Sequence, residues 1–229
     1  MPRFARVVVP ECPHHITQRG NDRRDLFFSS ADRDVYLGLL RHCGQIYLVD
    51  VLGHCLMTNH VHLVLLPHAF ASLGQLMREV QMRYSQYRHA IEGGSGHIWQ
   101  CRYYSCAMEP ARLAAVMRYV ELNPVRAGMV TSADAYRWSS ATVHLGGPDG
   151  WNLVALADWR QAWTPDQWRA VLAGGAEESA AIREATYGGR PLGSREFVAR
   201  LERYLDRSLQ RGSPGRPRRN TIASGACKI

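Results

Sequence analysis

Residues 47–57 and 60–66 are two apolar runs separated only by Thr58 and Asn59, and no other stretch constrains the fold of this chain as tightly. A two-residue connection of turn-forming types joins antiparallel strands, because a parallel pair needs a crossover of a dozen or more residues. The chain therefore carries a hairpin, and its second strand opens with His60 and His62. Side chains of a strand alternate between faces, so the two imidazoles share one face while Val61 and Leu63 take the other. Neutral imidazole is the commonest metal ligand, and two on one strand face can grip a single ion. His-x-His is weak evidence by itself, and a third ligand decides the matter.

Around the hairpin the pattern alternates. Residues 14–19 (HHITQR) read as a strand, and 31–43 as a helix with Val35, Leu39 and Leu40 on one stripe. A long amphipathic helix fits 71–91, where Leu73, Leu76, Val80, Tyr84 and Tyr87 recur at helical spacing, until Gly93, Gly94 and Gly96 break it. Residues 98–107 read as a strand, and 110–123 as a helix opened by Pro110 and closed before Pro124. This order predicts an α+β domain with a ferredoxin-like antiparallel sheet and helices on one face.

The last of these helices offers the missing ligand. Tyr119 and Asn123 lie four apart and share a side, while Leu113, Val116 and Val120 form the stripe that packs inward. The Asn123 amide oxygen is a hard donor, suited to magnesium or manganese. From the residues alone, a core-edge tyrosine and a helix-end asparagine before proline are the simpler account of the pair.

The 229 residues suffice for one ordinary domain plus an appendage, and a net charge of +8 with a pI near 9.5 points to a polyanionic partner. Residues 1–150 hold 15 Arg and 12 acids, net +3, whereas 151–229 hold 12 Arg, one Lys and 8 acids, net +5. The shorter segment is the more basic. Six scattered cysteines without a C-x-x-C pair read as reduced thiols in a cytoplasmic protein. No apolar run approaches the roughly 20 residues of a membrane span.

HITQRGNDRRDLFF (15–28), CLMTNHVHLVLLP (55–67), IWQCRYYSC (98–106), RYVELNPVRAGMV (118–130) and YRWSSA (136–141) occur in the order and at about the spacing of a known family. Over residues 5–145 the chain resembles the single-tyrosine HUH transposases, and among them the REP-associated tyrosine transposases of bacteria. The resemblance implies that His60, His62 and Asn123 bind a divalent Mg2+ or Mn2+ ion and that Tyr119 is the nucleophile. It further implies a transposase that cleaves and rejoins single-stranded DNA at hairpin-bearing repeats through a 5′-phosphotyrosine, as a monomer or homodimer near the bacterial nucleoid. Arg19, Arg23, Arg24 and Arg126, with Arg102 and Tyr103 beside Tyr104, supply the cations and aromatics expected along a DNA groove. His14, His15 and His54 are expected to be structural. The alternatives are a noncatalytic DNA-binding or regulatory protein on the same fold, and a small-molecule metallohydrolase using zinc.

Beyond this domain (1–145), Gly146–Gly150 read as a linker into a helical extension (146–210). Thr164 and Gln167 have capping-box spacing, and Ser194 can cap a helix with Phe197, Leu201, Tyr204, Leu205 and Leu209 on one stripe. The two helices suit either a helix-turn-helix-like module or a pair docked on the sheet. A basic tail (211–229) follows, in which Arg216, Arg218 and Arg219 form a partial AT-hook-like match or a nonspecific phosphate-binding segment.

Overall fold

A computed structural model describes residues 6–174 and 179–209. Strand β1 (His14–Arg19) is followed by helix α1 (Ser30–Tyr47), then the hairpin β2 (Val49–Leu56) and β3 (His60–Pro67). Helix α2 (Ser72–Glu92), strand β4 (Tyr104–Ala107) and helix α3 (Leu113–Glu121) complete the expected succession. The four strands pair antiparallel in the order β2-β3-β1-β4, the ferredoxin-like arrangement.

Ile16, Val61, Leu63 and Leu65 share one face of the sheet and are fully buried. On α1 and α2, Tyr36, Leu37, Leu40, Leu73, Leu76 and Tyr84 belong to the same apolar cluster. One carboxylate joins the two helices. Asp32 accepts the Phe28 and Ser29 amides at 2.7 and 2.9 Å, closing a capping box with Ser29, and also accepts from Tyr87 Oη at 3.1 Å and Arg88 Nη1 at 2.9 Å. At its other end α2 stops at Gly93, whose φ of 67° is the left-handed cap that glycine adopts without strain.

The opposite face of the sheet receives α3. Its approach depends on Gly53, which lies at a register shift between Val51 and Gly53. A Cβ at Gly53 would sit 2.3 Å from Met117 Sδ and 3.0 Å from Ser140 Oγ. Three elements differ from expectation, the first being α1, predicted over 31–43, which continues to Tyr47. The strand predicted over 98–107 pairs continuously only from Tyr104, the earlier part being held by a bridge from Trp99 to Gly20. The helix predicted over 110–123 starts as a 3-10 turn and bends at Leu122, after which Pro124, with no N–H to donate backwards, opens the short helix α4 (Asn123–Arg126).

Four further helices follow the short α5 (Ala141–His144): α6 (Ala157–Ala162), α7 (Pro165–Ala173), α8 (Ser179–Gly188) and α9 (Arg195–Leu205). Thr164 and Ser194 cap α7 and α9 as expected. The two helices dock at different places rather than as a module. Trp168 of α7 is fully buried and donates from Nε1 to Glu121 Oε2 at 2.9 Å, while Glu121 Oε1 accepts from Ser140 Oγ at 2.7 Å and from His144 Nδ1 at 2.5 Å. On α9, Phe197 and Leu201 pack with Val7, Val9 and Ala107, whereas Tyr204 leaves the stripe and stacks on exposed Phe70. Among the described residues no helix is long and apolar enough to cross a membrane, and Cys12, Cys43, Cys55, Cys101 and Cys106 are free thiols.

Two outcomes follow from this packing. Gly53→Val forces Met117 and Ser140 aside in a filled interior, so it lowers unfolding stability by about 1–3 kcal/mol; an unchanged urea midpoint contradicts the close approach. Burial also holds His14 and His54 down to about 4 and His15 to about 3. The unfolded chain takes up these protons near pH 6.5, so between there and pH 4 it binds more protons than the folded chain and stability falls with acid, by up to about 1.4 kcal/mol per pH unit for each imidazole. Urea midpoints measured from pH 7 to 5 check this, and a flat series excludes neutral buried imidazoles.

Candidate metal and nucleophile site

The β1–β3 register sets the site. It aligns Arg19 with His60 and Thr17 with His62, so His15, Arg19, His60 and His62 all face α3. The rings of His60 and His62 stand 5.0 Å apart at 79°. His60 Nδ1 lies 2.7 Å from Asn59 Oδ1, and the Asn59 amide nitrogen donates to Arg23 O at 3.1 Å, which turns its oxygen toward the ring. His62 Nδ1 lies 3.0 Å from His15 Nε2, and His15 Nδ1 lies 2.8 Å from Thr186 Oγ1. Each Nδ1 is therefore engaged, and neither Nε2 has a hydrogen-bond partner among the described residues. Burial, with Arg19 adding to it, pushes His60 down to about 4. His62 falls well below the ordinary imidazole value, through burial first and then the neighbouring His15, His60, Arg126 and Arg19. Both rings are neutral at pH 7 and offer lone pairs.

Tyr119 projects from α3 against these rings, edge-on to His62 at 5.6 Å and to His15 at 5.7 Å. Its hydroxyl accepts from Arg183 Nε at 3.3 Å, and the Arg126 guanidinium covers its ring at 4.6 Å. The bend at Leu122 keeps Asn123 on the same side. Asn123 Nδ2 donates to the carbonyls of Tyr119 and Val120 at 2.9 and 3.2 Å, which leaves Oδ1 as the atom not turned to the helix. His60, His62, Tyr119 and Asn123 line a single cleft of about 440 Å³ walled by Arg19, Arg126 and Arg183. Among the described residues no group of three His, Cys, Asp or Glu could hold a metal. Two imidazoles and an amide oxygen nevertheless fit a divalent ion that keeps open positions for water and phosphate oxygens.

The remaining predicted DNA contacts lie apart. Arg23 and Arg24 are exposed on the turn after β1. Arg102 lines a second cavity of about 240 Å³ with Tyr104 and Tyr187. Tyr103 is only 6% exposed, its ring capped by Arg6 at 3.8 Å, and the accessible aromatic pair is Tyr104 with Tyr187, 5.0 Å apart. Arg216, Arg218 and Arg219 lie outside the described residues. Of the histidines expected to be structural, His14 accepts the Val9 amide and lies 2.7 Å from Cys12 O, and His54 is fully buried, but His15 reaches the His62 ring directly. The sequence reading missed Arg183, Thr186 and Tyr187, all on α8. Its signal is faint: Ile182, Ala185 and Thr186 share a face at helical spacing, and only one of them is a large apolar residue.

Comparison with known proteins identifies the family. The family described as "Transposase IS200 like" matches residues 8–123, a span that contains His60, His62, Tyr119 and Asn123 and stops short of Arg126 and α8. The structure of the REP-associated tyrosine transposase bound to a REP hairpin superposes with a TM-score of 0.55 at 17% identity, covering 64% of this chain and 86% of that one. A transposase candidate from Deinococcus radiodurans R1 gives 0.37 at 18% identity, covering 52% and 96%. No curated protein matches the chain. The fold is thus shared with the REP-associated enzyme, and the chain belongs to the IS200-like transposase family.

Proposed function

We propose that this transposase cleaves and rejoins single-stranded DNA, with Tyr119 as nucleophile and a Mg2+ or Mn2+ ion held by His60, His62 and Asn123. One observation carries the reading: a tyrosine hydroxyl, two neutral imidazoles with free Nε2 atoms and an amide oxygen converge in one arginine-walled cleft. When bound, the ion draws charge from the nonbridging oxygens of the scissile phosphate and aligns it for in-line attack.

The chain's own residues supply the rest. Tyr119 Oη attacks phosphorus as its proton leaves, the phosphorus–O3′ bond breaks, and the departing 3′ oxygen takes up a proton. The 5′ phosphate stays on Tyr119, and attack by a 3′ hydroxyl reverses the sequence without an external energy source. A phenol with an ordinary pKa near 10 is a weak nucleophile at pH 7. Arg183, 3.3 Å from the hydroxyl, is placed to offset the charge that develops as the proton departs. Arg19 and Arg126 line the same cleft, which supports a role for them at the flanking phosphates. The hairpin in the related structure, together with the exposed Tyr104 and Tyr187, favours single-stranded DNA beside a hairpin as substrate, with unpaired bases stacking on aromatic rings.

Incubation with labelled single-stranded hairpin oligonucleotides from the repeats flanking the gene tests this. With Mn2+ or Mg2+ a denaturant-resistant protein–DNA adduct forms, and it disappears in Tyr119→Phe and with chelator. Binding without any adduct makes the chain a DNA-binding protein instead. His60→Ala keeps hairpin binding but lowers cleavage by more than about 100-fold, since losing a ligand costs at least as much as losing a residue behind one; normal cleavage by this variant removes the metal assignment.

A further inference from the structure

Helix α8 lies beyond the residues that define the family, yet its Thr186 hydroxyl is hydrogen-bonded into the candidate metal site. Thr186 Oγ1 is 2.7 Å from the carbonyl of Ile182, one turn back in the same helix. A carbonyl only accepts, so the single hydroxyl proton lies there. The oxygen's lone pairs then face His15 Nδ1 at 2.8 Å and Cys106 Sγ at 3.3 Å, and both of these donate. With its proton on Nδ1, neutral His15 presents a bare Nε2, which accepts from His62 Nδ1 at 3.0 Å. The proton of His62 is thereby held on Nδ1, and the lone pair is left on Nε2.

We propose that Thr186 is a positioning residue of the metal site: through His15 it fixes the tautomer of His62, so that the C-terminal extension sets the family site's competence for metal. The proposal rests on the functional reading above for the identity of the ligands. His60 has its own anchor in Asn59, on the hairpin turn, so the relay acts on His62 alone. Without the hydroxyl, His15 Nδ1 faces no acceptor and its proton is better placed on Nε2, where it donates to His62. One such shift pushes the proton of His62 onto Nε2 and blocks the lone pair a metal needs.

The test uses the full chain, with Thr186→Val as the near-isosteric loss and Thr186→Ser as the conservative rescue. Mn2+ binding is measured by calorimetry, and the protonated nitrogen of His62 by long-range nitrogen–proton NMR without metal. The expected result is Mn2+ affinity about 10- to 100-fold weaker in Thr186→Val, with the His62 proton moved toward Nε2 and both properties restored in Thr186→Ser. Thr186→Val with affinity within twofold of the unaltered chain and its His62 proton still on Nδ1 overturns the proposal. If the unaltered chain binds no Mn2+, the functional reading falls instead, and the relay is judged on the NMR signature: a His62 proton that stays on Nδ1 in Thr186→Val overturns it.

Discussion

The register of β1 against β3 is the constraint on which the site depends. Because side chains alternate, a slip of one residue between these strands would send His15, Arg19 and their partners to opposite faces and expose Ile16 in exchange. The register is held from both sides of the sheet. Ile16, Val61 and Leu63 are fully buried on the α1–α2 face, and Thr17 Oγ1 donates to Val61 O at 3.0 Å. The turn at Thr58–Asn59 adds a third hold, since its carbonyls accept the amides of Gly20, Leu26 and Phe27. The segment after β1 and the hairpin turn are thus fixed to each other, and the same Asn59 that ties them orients His60.

Burial on the opposite face, toward α3, has an electrostatic result. Imidazoles packed between a sheet and two helices are kept neutral, while the arginines at the mouth of the cleft stay charged and partly hydrated. Neutral donors inside and fixed cations outside are the arrangement that the proposed ion and an anionic backbone would require. A carboxylate at the position of His60 or His62 would instead pair with Arg19 or Arg126 and compete with the phosphate for them.

The sequence discloses the parts of this arrangement that are local or periodic. β1 is found at its observed limits, and the hairpin, α2 and the caps at Thr164 and Ser194 are found within a residue or two, because each is written in alternation, helical spacing or turn chemistry. His60, His62, Tyr119 and Asn123 lie close in sequence to recognisable blocks, and the fold brings them into one cleft. What was not legible depends on long-range docking. Nothing near residue 186 says that its hydroxyl will meet a histidine 171 positions earlier. Nor does the run at 98–103 disclose that only a bridge to Gly20 will hold it beside the sheet. Tyr103 and Tyr104 look alike in the sequence, and packing alone assigns one to the interior beneath Arg6 and the other to the surface.

The docking of the extension bears on how the site can be divided. Through Trp168, α7 reaches Glu121, two residues after Tyr119, and α8 reaches His15 and the Tyr119 hydroxyl. Helix α3 is therefore gripped at its buried side by one extension helix and met at its Tyr119 side by another. A chain cut after the family-defining residues would strip Glu121 of all three of its donors, Ser140, His144 and Trp168, and His15 of Thr186. The candidate site and the extension are consequently joined by buried contacts, although only the first is marked by family resemblance.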